Sequence, residues 1–276
     1  MRMLEKDRKL GETLCEMRRV LVAFSGGVDS TFVLKRAHQE LGSDNVLAVV
    51  VASELFRKEE FEGAVNLAKQ MNIPVLETEI QELEEDAIVA NTPDSWYYSK
   101  KMLYNHLNKL AKQRGFYYVL DGMIMDDLDD FRPGLKARTE AGVRSILQEA
   151  DLYKREIRIL AKELEVPVWD KPASCSLASR VPYGTRITKH NIDQVNQAEQ
   201  YIQTLGFSVV RVRHHGDVAR IEALPEDIVA LLASKEKIGR KLQSLGFAYV
   251  SVDLFGYRVG SMNEVIDEKQ QHSEVG

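Results

Sequence analysis

Apolar positions follow two alternating rhythms along the first part of this chain. Short runs of consecutive apolar residues, Val20–Phe24 and Val46–Ala52, read as buried strands, Ile73–Thr78 as a third, and Tyr117–Met123 as a fourth. Between them apolar residues recur every three or four positions, the spacing of one helix face. That spacing predicts a lead-in helix over 3–17 (Met3, Leu4, Leu10, Leu14, Met17), in which Cys15 is expected to be a small core residue. It predicts further helices over 30–41, 58–71, 96–114 (with Asp94 or Ser95 as N-cap) and 154–165. Strands that alternate with helices of this length argue for βαβ units, hence an α/β fold with a parallel sheet. Ligands of such sheets gather beyond the carboxyl ends of the strands, so the loops after Phe24, Ala52 and Thr78 are expected to share one rim.

The rhythm then breaks. Residues 170–190 hold two prolines, a glycine and several serines and threonines without periodicity, and predict an ordered loop. Beyond it the chain repeats itself: Tyr201–Phe207 precedes Val209–Val212, and the similar Lys241–Phe247 precedes Tyr249–Val252. Each copy reads as a helix ended by glycine and followed by a strand, which predicts a smaller α/β domain of two similar αβ units. The expected division is therefore 1–187 and 188–276, with the cysteine loop in the first domain and a tail from Glu264 that frays. Arg211 and Arg213 alternate with Val210 and Val212, which puts both guanidiniums on the non-core face of one strand. They are either a phosphate or carboxylate grip or a solvated edge.

Charge sharpens this picture. The net charge is −5 over 276 residues, unlike the basic balance of a protein that grips long nucleic acid. Residues 1–130 carry −7, residues 131–220 carry +5 and residues 221–276 carry −3, so the middle stretch is the expected anion-handling part. The carboxylates Asp126, Asp127, Asp129 and Asp130 are either a solvated turn or part of a cation-assisted phosphate site. Two cysteines, Cys15 and Cys175, exclude a disulfide framework and a C-x-x-C site. The charged N-terminus and the lack of a long apolar run lead to the expectation of a cytoplasmic protein with no membrane partner and no nucleic-acid partner.

Candidate chemistry begins at Ser25-Gly-Gly-Val-Asp-Ser30, between the first strand and its helix. Helix N–H groups and dipole make an anion site there, and Asp29 adds an oxygen ligand for a phosphate-bound Mg²⁺. The stretch lacks the lysine of G-x-x-x-x-G-K-[ST] and the spacing of G-x-G-x-x-G. It resembles instead the S-G-G-x-D-S PP-loop of the ATP pyrophosphatases, which implies an adenine nucleotide alpha-hydrolase-like domain that holds ATP while a substrate attacks its α-phosphorus. Cys175 lies in a polar loop with Lys171 and Arg180 close in sequence, a setting that favours exposure and a thiolate. Trp96, Tyr97 and Tyr98 cannot all face a core from one helix start, which leaves a ring for a ligand or for packing under the loop.

Together Ser25–Ser30, Asn91–Lys101, Asp121-Gly…Phe131–Arg138, Ala173–Ser176, Arg180–Gly184, Val210–Arg213 and Gly256–Arg258 resemble the LarE family. These sulfur transferases help make the nickel-pincer nucleotide cofactor of lactate racemase. The resemblance implies ATP and Mg²⁺ as co-reactants and pyridinium-3,5-biscarboxylic acid mononucleotide as substrate, with Cys175 consumed as sulfur donor and left as dehydroalanine. It further implies Ser25, Gly26, Gly27, Asp29 and Ser30 at ATP, and Trp96, Ser179, Arg211, Arg213 and Arg258 at the mononucleotide. Lys100 and Arg180 then steady charge on the adenylate, and Glu199 and Glu222, with Asp29, are matched to acidic or metal positions. A homo-oligomer, a hexamer, is implied as well. With no second cysteine near Cys175, no iron–sulfur cluster is expected. Another PP-loop enzyme, a tRNA thiolase or an amidotransferase-type synthetase, is the alternative.

Overall fold

The computed structural model describes residues 2–128, 133–172, 174–258 and 260–265. Asp129, Asp130, Phe131, Arg132, Ala173 and the tail beyond 265, on which expectations were placed above, lie outside the described residues. The chain forms two compact units, one from residues 1–81 and 96–174, the other from 82–95 and 175–276.

In chain order the elements are α1 (Met3–Met17), β1 (Val20–Ala23), α2 (Val28–Leu41), β2 (Val46–Ala52), α3 (Lys58–Gln70), β3 (Val75–Glu79), α4 (Asp86–Val89), α5 (Ser95–Arg114) and β4 (Tyr118–Leu120). They continue with α6 (Gly134–Ala141), α7 (Ile146–Glu149), α8 (Lys154–Glu163), α9 (Lys189–Thr204), β5 (Val210–His215), β6 (Val218–Ala223), α10 (Ile228–Ala233), α11 (Lys235–Ser244) and β7 (Tyr249–Val252).

The first unit is the expected parallel sheet, in order β3-β2-β1-β4, with Val20 opposite both Val46 and Tyr118. The central strands β1 and β2 are continuously apolar because both their faces are covered. Val20, Val22, Ala48 and Val50 enter one core with Leu10, Leu14, Phe32 and Leu160. Leu21, Leu47 and Val49 point the other way, into a core with Tyr104 and Leu107 of α5. Each large side chain buried this way contributes about 1.5–3 kcal/mol. Two details differ from the periodicity. Cys15 is exposed, its Sγ 3.6 Å from Glu40 Oε2, because one step on from buried Leu14 turns the helix by about 100°. The fourth strand stops at Leu120 because the Asp121 carboxylate accepts the Met123 N–H (3.2 Å), which draws the chain out of the ladder.

The second unit holds a three-stranded sheet, order β5-β6-β7, antiparallel between the first two and parallel between the last two. Phe207 and Phe247, the matched ends of the repeated segment, enter one core with Ile202, Val210, Val212, Ile221 and Leu242. The repeat therefore reflects two helix–strand units, with β6 inserted between their strands. The division of the chain falls at Ser174–Cys175 instead of residue 187, and residues 82–95 join the second unit. Side chains explain the shift. Asn91, at φ 52°, places its amide nitrogen 3.1, 2.9 and 3.0 Å from the carbonyls of Val181, Pro182 and Thr185, and its own carbonyl accepts from Gly184 (2.9 Å). The cysteine loop is thereby tied to residues 82–95. No helix among the described residues is long and apolar enough to cross a membrane.

Candidate active site

In the first unit, β1 delivers the chain into Ser25–Ser30 and α2 takes it away. Gly26 sits at φ +68°, and a Cβ there would lie 2.9 Å from the Ala64 Cβ, so only glycine fits both the conformation and the space. The loop is braced from within. Ser25 Oγ and Ser30 Oγ are 3.0 Å apart, and Thr31 Oγ1 donates to Gly27 O at 2.7 Å. Gly122, just beyond β4, approaches so closely that a Cβ would meet Ser30 N at 2.8 Å. Asp121 holds that turn in place, accepting from buried Tyr104 (2.9 Å) and from Ser145 (2.6 Å). Burial, then the Asp121 carboxylate, push the Tyr104 phenol well up, so it stays a donor.

Asp29 has divided loyalties. Its Oδ2 takes Lys154 Nζ at 2.6 Å, while Oδ1 is buried with no hydrogen-bond partner. An orphaned carboxylate oxygen beside a helix N-terminus fits a divalent cation that bridges to phosphate. Lys171 Nζ donates to Gly26 O at 3.2 Å, and Lys154 N donates to Asp126 Oδ2 at 2.8 Å. The sequence pattern tied neither lysine to this loop, naming Lys171 only as a charge near Cys175, for both lie more than a hundred residues beyond the loop they touch. Trp96 and Lys100 belong to this unit too. Lys100 runs its stem past Gly134, where a Cβ would lie 2.7 Å from Lys100 Cγ. Tyr97 stacks edge-on against Tyr98 and bonds Glu140 (2.6 Å), which makes it part of the packing of α5 on α6.

In the second unit, Cys175 is exposed at the head of a loop organised by Arg180. Arg180 is 3% exposed, and its Nη1 reaches Cys175 O (3.2 Å), Ser176 O (3.0 Å) and Ser179 Oγ (2.8 Å). Its other edge meets Glu199 with two bonds, Nε to Oε1 at 2.9 Å and Nη2 to Oε2 at 3.1 Å. Glu199, fully buried, also accepts Val212 N at 2.8 Å, which fastens the loop to β5. Arg213 is built in similarly, donating to Ser179 O (2.7 Å), Glu222 Oε2 (2.7 Å) and Ser261 Oγ (2.8 Å), with its Nε buried and unpartnered. Ser179 thus links the two arginines.

Arg211 differs from its neighbours. Its hydrogen bond is to Val210 O (2.9 Å), it lies 5.2 Å from the Tyr257 ring, and no carboxylate among the described residues is within ion-pair distance. Burial, then repulsion by Arg180, pull its pKa down. A half-buried cation without an ion pair is poised for an arriving anion. Arg258 lies against Phe255, 3.4 Å from Asp253, and Asp253 also pairs with Arg220. The basic group is thus wider than the sequence pattern suggested: Arg220 and Asp253 join it through β6, a strand the apolar pattern did not reveal.

Glu199 and Glu222 do not fit a metal as they stand. Glu199 spends both oxygens on Arg180 and Val212, and Glu222 receives Arg213, Arg220 (3.2 Å) and Ser261 (3.5 Å). No cluster of three or more acidic, histidine or cysteine ligands occurs among the described residues. These carboxylates position arginines.

A parallel sheet carrying a Ser-Gly-Gly-x-Asp-Ser loop between β1 and α2 defines an ATP-using enzyme of the PP-loop class, and residues 9–117 match the NAD synthase family. A pyridinium-3,5-bisthiocarboxylic acid mononucleotide synthase from Lactiplantibacillus plantarum is 53% identical over 96% of both chains. This chain belongs to that synthase's family. An uncharacterized protein of Synechocystis sp. is 40% identical over 96% of this chain and 99% of its own. One component of a glutamine-hydrolyzing GMP synthase from Sulfurisphaera tokodaii is 27% identical over 54% of this chain and 44% of its own.

Proposed function

We propose that the protein makes a pyridinium thiocarboxylate mononucleotide by ATP-dependent sulfur transfer from its own Cys175. A carboxylate of pyridinium-3,5-biscarboxylic acid mononucleotide attacks the α-phosphorus of ATP, the bond to pyrophosphate breaks, and an acyl adenylate forms. Ser25, Gly26, Gly27 and Ser30 hold the phosphates in this reading, and Asp29 offers its unclaimed oxygen to Mg²⁺. That ion, when bound, neutralises charge on the departing pyrophosphate.

The Cys175 thiolate then attacks the acyl carbon, AMP leaves, and a thioester joins substrate to protein. Loss of the Cys175 Cα proton and scission of Cβ–S, with the electron pair going to sulfur, release the thiocarboxylate and leave dehydroalanine. Arg211 and Arg213 are assigned to the substrate phosphate, Ser179 and Arg258 to its surroundings, and Trp96 to the cationic ring. Lys100 and Arg180 steady charge on the adenylate.

The observation that carries this reading is Cys175 itself: an exposed cysteine with its carbonyl held by buried Arg180, whose charge also bears on Arg211, a guanidinium with no carboxylate at ion-pair distance among the described residues. Its test is stoichiometry. With ATP, Mg²⁺ and the dicarboxylate mononucleotide, thiocarboxylate should stop at one sulfur per chain. Catalytic turnover from an external sulfide with Cys175 intact would contradict it. We also assign a homo-oligomer, for which Tyr249, Leu254 and Phe255, all exposed in the second unit, offer apolar surface. A monomer in sedimentation at micromolar concentration would remove that assignment.

A further inference from the structure

The phosphate loop has no cation of its own, since no Lys or Arg occurs between Ser25 and Leu34. The fold brings two from elsewhere. Lys154, the first residue of α8, has its backbone N–H anchored on Asp126 and its ammonium on Asp29 Oδ2. Lys171 reaches the carbonyl of Gly26, the residue with positive φ at the floor of the loop. Each ammonium has three donors, and each makes one hydrogen bond among the described residues.

We propose that Lys154 and Lys171 are the phosphate-binding cations of this nucleotide site. Lys154 is held on Asp29 while the site is empty and passes to the β- and γ-phosphate oxygens when nucleotide arrives, which leaves that carboxylate to a divalent cation. A purely structural ion pair explains less. Lys154 and Asp29 keep 31% and 23% of their side-chain surface exposed, where solvent screening leaves an ion pair little to add to stability. The pair also leaves the second oxygen of Asp29 buried and unbonded. An ammonium poised between a carboxylate and an anion site accounts for both facts. The proposal rests on the reading of Ser25–Ser30 as a nucleotide loop, and its test separates the two.

Isothermal titration of the chain with α,β-methylene-ATP, in EDTA and then in Mg²⁺, reads the lysine without any turnover. Lys154→Met should weaken binding in EDTA by roughly tenfold or more, the scale of a lost charge-assisted hydrogen bond, and Lys154→Arg should recover most of it. Asp29→Asn, which removes a negative charge, should bind in EDTA at least as tightly as the wild type. The double variant should fall below Asp29→Asn by the same factor as Lys154→Met falls below wild type. A double variant equal to Asp29→Asn would overturn the proposal, because Lys154 would then act only by neutralising Asp29. So would a Lys154→Met protein that binds like wild type. A wild-type chain that does not take the analogue in either buffer contradicts the nucleotide reading itself. Should Lys154→Met not fold, Lys171→Met carries the same comparison, with a similar loss expected and an unchanged affinity overturning it.

Discussion

The two units hold their charged groups in opposite ways. Around Ser25–Ser30 the bonds are local and short in reach, hydroxyl to hydroxyl and hydroxyl to carbonyl, and Asp29 keeps one oxygen unclaimed. Around Cys175 the carboxylates are saturated. Glu199 and Glu222 spend their oxygens on arginines, and the exposed cysteine rides on that frame. Energetics explain the contrast. A carboxylate meant for an exchangeable cation must stay under-bonded, whereas one that fixes a buried guanidinium must be fully engaged, because an unpaired buried charge costs several kcal/mol. In the proposed reading the first site receives and releases charge, and the second holds Cys175 still.

The largest effect should come from the cysteine. Cys175→Ser is expected to abolish sulfur transfer while ATP-dependent pyrophosphate release persists, because the phosphate loop is untouched. Loss of both activities would break the separation of roles. Next, Glu199→Gln leaves Arg180 charged at 3% exposure, and urea unfolding should show a loss of about 3–5 kcal/mol. Asp29→Asn, at a half-open ion pair, should cost about 1 kcal/mol or less by the same measurement. Equal losses would contradict the contrast. Gly26→Ala falls between these, at roughly 1–3 kcal/mol, since it combines a positive φ with a Cβ crowded against Ala64. It should also weaken ATP in direct titration.

The smallest effect is a pH dependence confined to the second unit. His214 accepts no proton easily: Gln194 Nε2 bonds Leu245 O (2.9 Å), so its Oε1 faces His214 Nε2 (3.1 Å) and fixes the neutral tautomer, with Nδ1 buried. Burial depresses the pKa of His214, and burial, then Arg220, that of His215. The unfolded chain therefore binds more protons just below pH 6.5, and stability should fall as pH drops through that value toward the depressed folded ones. His214→Gln should flatten the urea midpoint between pH 7 and 5. An unchanged slope would remove His214 from the account.

How much was legible follows the range of the interactions. Ser25–Ser30 is contiguous and sits between two strongly patterned elements, so its place between β1 and α2 could be read from letters alone. The strands β1 and β2 were equally plain, because burial on both faces makes them uniformly apolar. β6 was not, since Val218-Ala-Arg-Ile-Glu-Ala223 mixes core residues with the Arg220 and Glu222 that serve the arginine frame. Residues 82–95 join the second unit through the Asn91 amide, the backbone bonds of Asn91 and Val89 and the Arg186–Asp86 pair, ties no periodicity announces. Lys154 reaches a loop 125 residues away, and only the fold reveals that.

The central claim is that the sulfur leaves from Cys175, and intact-protein mass spectrometry with peptide mapping tests it most directly. After reaction with ATP, Mg²⁺ and pyridinium-3,5-biscarboxylic acid mononucleotide, the chain should lose the mass of H₂S, with the change confined to the peptide that carries Cys175. Thiocarboxylated product beside a chain of unchanged mass would contradict the account.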